Sequence, residues 1–373
     1  MPHLKLTEER EQFRQVARDF TEGEIKPKAA EYDSSGKFPA DIFEEAWKTG
    51  LVNFQIPERM GGLELDALSS CLILEELAAG CSGIGGVIEA STIAQLPVVM
   101  FGNRDLKETY LQSLLDKPQV AGYASYDTTS DDLVLRIRGE DYVLEGHHDL
   151  VVNGGEAAWY LVNVKDPQKG NRTVFIVPAD AEGLKFEDKA FALGRKARVA
   201  RKATFSNVRL TSDHIVGNEG QGDLIRTKTW PHICCFIAAG ATGVARSAMQ
   251  HAIAYSKERK TFGRPISQHQ GLAFMLADMA REIEAARLLA WQAAYLLDQG
   301  ENALDLALSA KAFAQDVAMR VTTDAVQVYG GYGYTKEYPV EKLMRDAKQY
   351  QIAEQTSLQS KVALARNLVM SGR

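Results

Sequence analysis

"DYVLEGHHDLVVNGG", Asp141–Gly155, interrupts a chain that is otherwise written in helical periodicity. Its β-rich run ends on Asn and Gly, the residues that punctuate strands. Three further runs repeat the pattern: "WYLVNVKD" (159–166), "RTVFIVPAD" (172–180) and "KATFSNVRLTSDHIVG" (202–217). Gly, Pro, Asn and Asp separate them. Residues 119–232 therefore read as a small, mostly antiparallel β-domain.

On the N-terminal side, over 1–118, the period is helical. In "LTEEREQFRQVARDFTEGEI" (6–25) Thr7 can cap the first free N–H groups, and Glu8 and Glu9 suit the helix dipole. Arg10 stands where a capping box needs Glu or Gln, so the box is incomplete. Phe13, Val16, Ala17 and Phe20 fall on one face. "PERMGGLELD" (57–66) is a loop, and "LSSCLILEELAAG" (68–80) is a helix ending at Gly80.

On the C-terminal side, over 233–373, helices return. "LAFMLADMAREIEAARLLAWQAAYLL" (272–297) places Leu272, Met275, Leu276, Met279, Ile283, Ala286 and Ala290 at spacings of three and four. "ALDLALSAKAFAQDVAMRVTTDAVQVY" (303–329) is as strongly helical and stops at Gly330-Gly331. "PVEKLMRDAKQYQIAEQTSLQSKVALARNLV" (339–369) opens with a helix-starting proline. Three or four long amphipathic helices imply a bundle. The expected fold is mainly α with a middle β-domain: helical, β, helical.

Composition narrows the function classes. The 373 residues carry a net charge of −6, with 45% hydrophobic and 25% charged residues, and no domain-scale basic excess argues for nucleic acid. No run of about 18 apolar residues suggests a membrane span. "MPHLKLTEEREQF" turns charged at once, without a signal core or an Arg/Ser-rich transit character. Cys71, Cys81, Cys234 and Cys235 lack CxxC spacing and read as reduced, buried thiols rather than a disulfide framework or a zinc site. A cytoplasmic protein without a metal site is the expectation.

Several separate stretches resemble the acyl-CoA dehydrogenase family, closest to its medium-chain members. They are "AAGATGVARSAMQHAIAYSKERKTFGRPISQHQ" (238–270), "FMLADMAREIEAARL" (274–288), "DAVQVYGGYGYTKEYPVEKLMRDAKQYQI" (324–352) and "FSNVRLTSDHIVG" (205–217). In the first half they are "AAEYDSSGKFP" (29–39), "IPERMGGL" (56–63) and "CSGIGGVIEASTIAQLP" (81–97). The resemblance covers nearly the whole chain in order. It implies an N-terminal helical domain, a middle β-domain and a C-terminal four-helix bundle, usually in a homotetramer. The activity it implies is α,β-dehydrogenation of a fatty acyl-CoA: a base takes a proton from Cα, FAD takes a hydride from Cβ, and electron-transfer flavoprotein collects the electrons.

Glu354, in "YQIAEQTSLQ" (350–359), matches the family's base. Read alone, it is either a half-exposed helical carboxylate or a base held against apolar surface, where desolvation disfavours its charge. Arg259 matches the arginine that meets the FAD pyrophosphate from a neighbouring subunit, and a planar fork suits phosphate. Phe262 matches an aromatic near the flavin, and His269 and Gln270 match residues beside the adenine end. Gln327, Gly330 and Gly331 match a turn where backbone approaches the cofactor, and Thr356 matches a phosphate or ribityl contact.

Elsewhere the family pattern is broken. A "TEPGAGSD"-like flavin loop reads "GYASYDTTSDD" (122–132), where only Ser130-Asp131 line up with the loop's end. "WITNGG" reads "LVVNGG" (150–155), so Leu150 replaces a tryptophan over the flavin and Val152 replaces a hydrogen-bonding threonine. An Asp-x-x-Arg that meets CoA would fall near Pro231–Cys234, which has neither residue. Gln355 replaces a glycine beside the thioester, and Ala353 a tyrosine. Glu89 matches a residue near the floor of the acyl cavity, or is a buried carboxylate with a polar partner. "KAFALGRKARVARKATF" (189–205), with Lys189, Arg195, Lys196, Arg198, Arg201 and Lys202, is either a surface for the CoA phosphates or a solvated sheet face. FAD binding is expected to be weakened or lost. The rival function is a flavin-deficient protein of this fold that binds acyl-CoA or a partner subunit without oxidising anything.

Overall fold

The computed structural model describes residues 6–125, 132–139, 141–188 and 192–371. Ser130, Asp131 and Lys189 lie outside the described residues.

The N-terminal helices are α1 (Glu8–Phe20), α2 (Ala29–Ser35), α3 (Ala40–Lys48), α4 (Ala67–Phe101), α5 (Arg104–Tyr110) and α6 (Gln112–Asp116). Thr7 caps α1, its Oγ1 accepting from the Arg10 N–H at 3.2 Å. The helix expected to stop at Gly80 runs on to Phe101 through a break at Cys81, whose φ of −160° and ψ of 110° are extended. Glycine thus marks a kink here, because burial on both sides continues past it.

The middle sheet holds β1 (Ala121–Ala124), β2 (Leu133–Arg138), β3 (Asp141–Val152), β4 (Trp159–Lys165), β5 (Arg172–Pro178), β6 (Leu184–Phe186), β7 (Ala200–Leu210) and β8 (Ile215–Val216). Its order is β6-β7-β3-β1-β4-β5-β8, with β2 beside β3 and β4. Pairing is antiparallel except where β4 runs parallel to β1 and β2. In β3, Val143, Leu144, Val151 and Val152 are buried, and irregular register against β7 re-aims the strand twice, between Leu144 and Gly146 and between His148 and Val151.

Next come α7 (Gly222–Glu258), a hairpin of β9 (Lys260–Thr261) and β10 (Arg264–Pro265), α8 (Gln270–Asp298), α9 (Leu304–Tyr329), α10 (Val340–Ile352) and α11 (Ser357–Ser371). The first of these helices starts at Gly222 and runs through Ile233. By length and composition α4 and α7 could each cross a membrane, yet their most apolar windows are 94% and 83% buried inside the fold. They are its core helices, apolar all round because other elements cover them.

Buried charge ties the layers together. On α4, Glu76 receives Arg14 at 3.1 Å, Arg18 at 2.9 Å and Arg246 at 2.7 Å, while Glu75 receives Arg287 at 2.9 Å. All four cysteines are buried and unbridged. Burial pushes the Cys234 thiol up to about 12, which keeps it protonated and inert.

Candidate active site

The turn between α10 and α11 presents Glu354. The chain leaves the helix at Ala353, whose ψ is 150°, and then places Glu354 and Gln355 at φ 49° and 70°. Two consecutive left-handed non-glycine residues are uncommon and costly, and such strain concentrates at functional sites. A reciprocal cap starts the next helix: the Gln359 N–H donates to Thr356 Oγ1 at 3.1 Å, and the Thr356 N–H to Gln359 Oε1 at 2.7 Å. From α9, buried Lys311 donates to the Gln355 carbonyl, and Gln315 donates to those of Tyr350 and Ala353. These bonds hold the turn open.

Relieving the strain tests this geometry. Gln355→Gly is expected to raise stability by up to about 1 kcal/mol, the left-handed penalty less glycine's extra unfolded-state entropy. Urea unfolding measures it. A loss larger than about 1 kcal/mol would mean that the glutamine side chain itself holds the turn.

The expected apolar setting for Glu354 is not the one found. The side chain is 2% exposed, but donors surround it. The Tyr123 hydroxyl donates to its carboxylate at 2.6 Å, Ser125 Oγ at 3.3 Å, and the Arg198 guanidinium at 3.4 Å. Arg198 also donates to the Tyr123 oxygen at 3.0 Å. Burial, then the nearby Glu354 charge, pushes the Tyr123 phenol well above its ordinary value, so it remains a donor.

Glu89 anchors a second, adjoining cluster. Arg195 donates to it at 2.7 Å and the Tyr350 hydroxyl at 2.7 Å, while the Arg195 guanidinium lies 3.9 Å from the Tyr350 ring centre. Arg195 is itself left-handed, at φ 49°, with its N–H donating to Asp346 Oδ1 at 2.6 Å. Gly86 makes room: a Cβ there would lie 2.5 Å from Arg195 Nη2 and 3.0 Å from Arg198 Cδ.

The basic segment is therefore neither a solvated face nor a CoA surface at these two positions. Arg195 and Arg198 turn inward, each against a buried carboxylate, Glu89 and Glu354 respectively. Arg201 pairs with Glu156 at 2.9 Å and Lys202 lies 3.6 Å from Asp149, both nearer the surface. Lys196 lines a separate cavity of about 500 Å³ with Lys26, Asp33 and His251.

The cofactor residues fall into three places. Arg259, Gln327, Gly330 and Gly331 line one cleft of about 480 Å³ with Tyr255, Thr261 and Tyr332. Among the described residues Arg259 makes no ion pair; its guanidinium lies 5.9 Å from the Tyr332 ring centre. Gly330, at φ 61° and with nothing within 4 Å of where a Cβ would stand, leaves its backbone approachable. An unpaired arginine beside bare glycine backbone fits the pyrophosphate of a dinucleotide. Phe262, His269 and Gln270 adjoin the cleft: Phe262 is 97% exposed on the hairpin, His269 bonds Thr261 at 3.0 Å, and Gln270 begins α8. Thr356 is elsewhere, engaged in its helix cap.

The strand expected to face the flavin ring carries half-buried Leu150 and fully buried Val152 on β3, with no hydroxyl at either position. On the same strand sits buried His148, whose Nδ1 accepts from the Leu150 N–H at 3.3 Å. Burial pushes His148 down to about 4, so it is neutral near pH 7. Its folded pKa lies below its unfolded value of about 6.5, so its contribution to stability is present above pH 6.5 and is lost as pH falls toward 4. We expect acid destabilisation on the order of 3 kcal/mol from this group over that window. Thermal melts of His148→Gln should be flatter with pH than wild type; equal slopes would assign the acid sensitivity to other groups.

Sequence reasoning missed Tyr123, Ser125, Tyr350, Lys311 and Gln315, and it placed Arg195 and Arg198 outside. One signal was available: Glu89 and Glu354 sit in apolar windows and required cations, and Arg195 and Arg198 stand three apart at the end of a β-rich segment.

Comparison with known proteins agrees with this architecture. The family described as "Acyl-CoA dehydrogenase, N-terminal domain" matches residues 7–117, and "Acyl-CoA dehydrogenase, C-terminal domain" matches 232–368. A probable acyl-CoA dehydrogenase, fadE25 of Mycobacterium leprae, is 37% identical over 98% of this chain and 97% of its own. The structure of butyryl-CoA dehydrogenase from Megasphaera elsdenii superposes with a TM-score of 0.93 at 32% identity, covering 98% of this chain and 99% of that one. A chain solved in work on the electron transferring flavoprotein of Acidaminococcus fermentans gives 0.94 at 34% identity, with 98% and 99% covered. In fold, motif order and full-length similarity, this chain belongs to the acyl-CoA dehydrogenase family.

Proposed function

We propose that the chain is an FAD-dependent dehydrogenase of fatty acyl-CoA thioesters, with Glu354 as the base that takes the Cα proton. The observation that carries this reading is the carboxylate itself. It is buried, strained into place by the α10–α11 turn, and positioned by Tyr123 and Arg198. Tyr123 and Ser125 orient the acceptor oxygens, and Lys311 and Gln315 fix the backbone behind them. Burial excludes water from the proton's path. Arg259, Gln327, Gly330 and Gly331 would hold the pyrophosphate end of FAD, with Phe262, His269 and Gln270 toward its adenine. Bound there, FAD supplies the acceptor for the Cβ hydride, and electron-transfer flavoprotein is the matching re-oxidant. Acyl-CoA enters beside Glu354, Gln355 and Glu89.

The test is spectroscopic. FAD-loaded protein mixed anaerobically with a fatty acyl-CoA should lose its visible flavin absorbance. A second reading is favoured by Val152 and by the ion pair on Glu354: a flavin-deficient acyl-CoA binder. Protein that stays colourless with excess FAD, yet binds acyl-CoA, would establish that second reading.

Arg259 and Gln270 reach a cofactor of a neighbouring copy in this proposal, and Phe262 and Phe274 are 97% and 61% exposed. A homotetramer is expected, and light scattering should give four times the 41.1 kDa chain mass. A monomer at micromolar concentration would remove the cross-subunit role of Arg259.

A further inference from the structure

Lys311, on α9, is fully buried. Its ammonium donates to the Gln355 carbonyl, to Ser360 Oγ at 3.3 Å and to Gln315 Oε1 at 3.4 Å, and it lies 5.9 Å from the Trp230 ring centre. These three acceptors carry no formal charge, so a neutral amide would serve them at a lower desolvation cost than an ammonium. What the ammonium adds is its charge. The Gln355 carbonyl fixes where that charge acts: one residue beyond Glu354, on the same left-handed turn. The charge already reaches a neighbour on α7, where burial raises the Cys234 thiol and Lys311 opposes that rise.

The charged and titratable groups about this turn come from both domains that meet there. The middle domain supplies Tyr123 and Arg198, which donate to the Glu354 carboxylate at 2.6 and 3.4 Å. The bundle supplies Lys311 and Cys234, and also Asp316, which pairs with Lys361 at 2.6 Å nearer the surface. In the adjoining cluster Arg195 is closed on Glu89 at 2.7 Å and Lys342 on Asp346 at 2.6 Å. Glu354 therefore lies in the field of two buried cations, Arg198 and Lys311, carried by different domains.

We propose that Lys311 is a positioning residue for the proton-transfer step: its ammonium, tied to the Gln355 carbonyl, keeps the buried Glu354 carboxylate ionised and so ready to accept. Burial disfavours a charged carboxylate, and a nearby opposite charge offsets that penalty. The same ammonium fixes the backbone that aims the carboxylate. When the Cα proton arrives and Glu354 becomes neutral, the three acceptors of Lys311 remain in place, so the turn keeps its geometry through the step. This inference rests on Glu354 being the base.

Carbon NMR of the full-length protein with isotope-labelled glutamate carboxyls tests it. The signal missing from Glu354→Gln identifies Glu354, and its pH titration gives a midpoint. Lys311→Gln keeps a donor for the Gln355 carbonyl but removes the charge, and should raise that midpoint by about one pH unit. Lys311→Arg keeps the charge and should stay nearer wild type than Lys311→Gln does. Should the glutamine variant not fold, Lys311→Met, which sets an apolar side chain against Trp230, gives the same comparison. An unchanged midpoint in the uncharged variant, or a Lys311→Arg midpoint that moves with it, would overturn the proposal. The pH profile of Cα-proton exchange between butyryl-CoA and D₂O, followed anaerobically on FAD-loaded protein, gives the functional counterpart. Lys311→Gln should shift the profile to higher pH by the same amount and keep its plateau. A lower plateau on an unshifted profile is the signature of a backbone tie alone and also overturns the proposal. Exchange that is absent from wild type, or undiminished in Glu354→Gln, removes Glu354 as the base. The midpoint shift then stands only as a property of the carboxylate, and the role of Lys311 in proton transfer falls with that reading.

Discussion

Glu354→Gln is expected to cut turnover with acyl-CoA by about 100- to 10,000-fold, the usual contribution of a placed general base. The amide has nearly the same shape, and its oxygen can still accept from Tyr123, which donates at 2.6 Å in the parent. What it cannot do is accept the proton. A second effect follows from the ion pair. Arg198 loses its counter-charge, so the variant should also melt lower, by up to about 3 kcal/mol of stability. Circular dichroism melts and the rate of flavin bleaching measure the two effects separately. Glu354→Asp keeps the charge but withdraws it by one methylene, and should recover the melting behaviour more than the rate. Bleaching by Glu354→Gln at the parental rate would show that the proton leaves by another route.

The largest stability effect is expected at Glu89. Glu89→Gln leaves the Arg195 cation, 1% exposed, without its carboxylate, and removing one partner of a buried pair costs about 3–5 kcal/mol. Tyr350 loses a hydrogen-bond acceptor in the same step. Replacing both ends with apolar side chains, Glu89→Leu with Arg195→Met, should recover most of that loss, because no uncompensated charge is then buried. A double-mutant cycle in urea gives the coupling directly. A Glu89→Gln protein within about 1 kcal/mol of wild type would mean that Arg195 relocates to another acceptor, and Asp346, already bonded to its N–H, is the nearest candidate.

The two kinds of site residue differ in how far local sequence could reach them. Arg259, Gln327, Gly330 and Gly331 came from the family resemblance, and the fold sets them along one cleft at a helix end and a glycine stop. Thr356 also came from the resemblance, as a phosphate or ribityl contact, and its side chain closes a helix cap with Gln359. Glu354 was legible as a residue but not in its surroundings: a reading from apolar neighbours suggested a dry pocket, and the fold delivers hydroxyls and a guanidinium from elsewhere.

The residues alone determined the helical–β–helical order, the cap of α1 by Thr7, strands β3, β4, β5, β7 and β8, and the glycine stop at Gly330. Each depends on side-chain period or backbone preference over a few neighbouring residues, and that information is written consecutively. Tertiary structure alone decided that Arg195 and Arg198 point inward, that α4 continues through Cys81, and that Glu354 meets Tyr123. Those contacts join residues 106, 156 and 231 positions apart for Arg195–Glu89, Arg198–Glu354 and Tyr123–Glu354. A buried charge takes whichever partner chain closure brings within reach, and desolvation makes that pairing compulsory without leaving any periodic mark in the sequence.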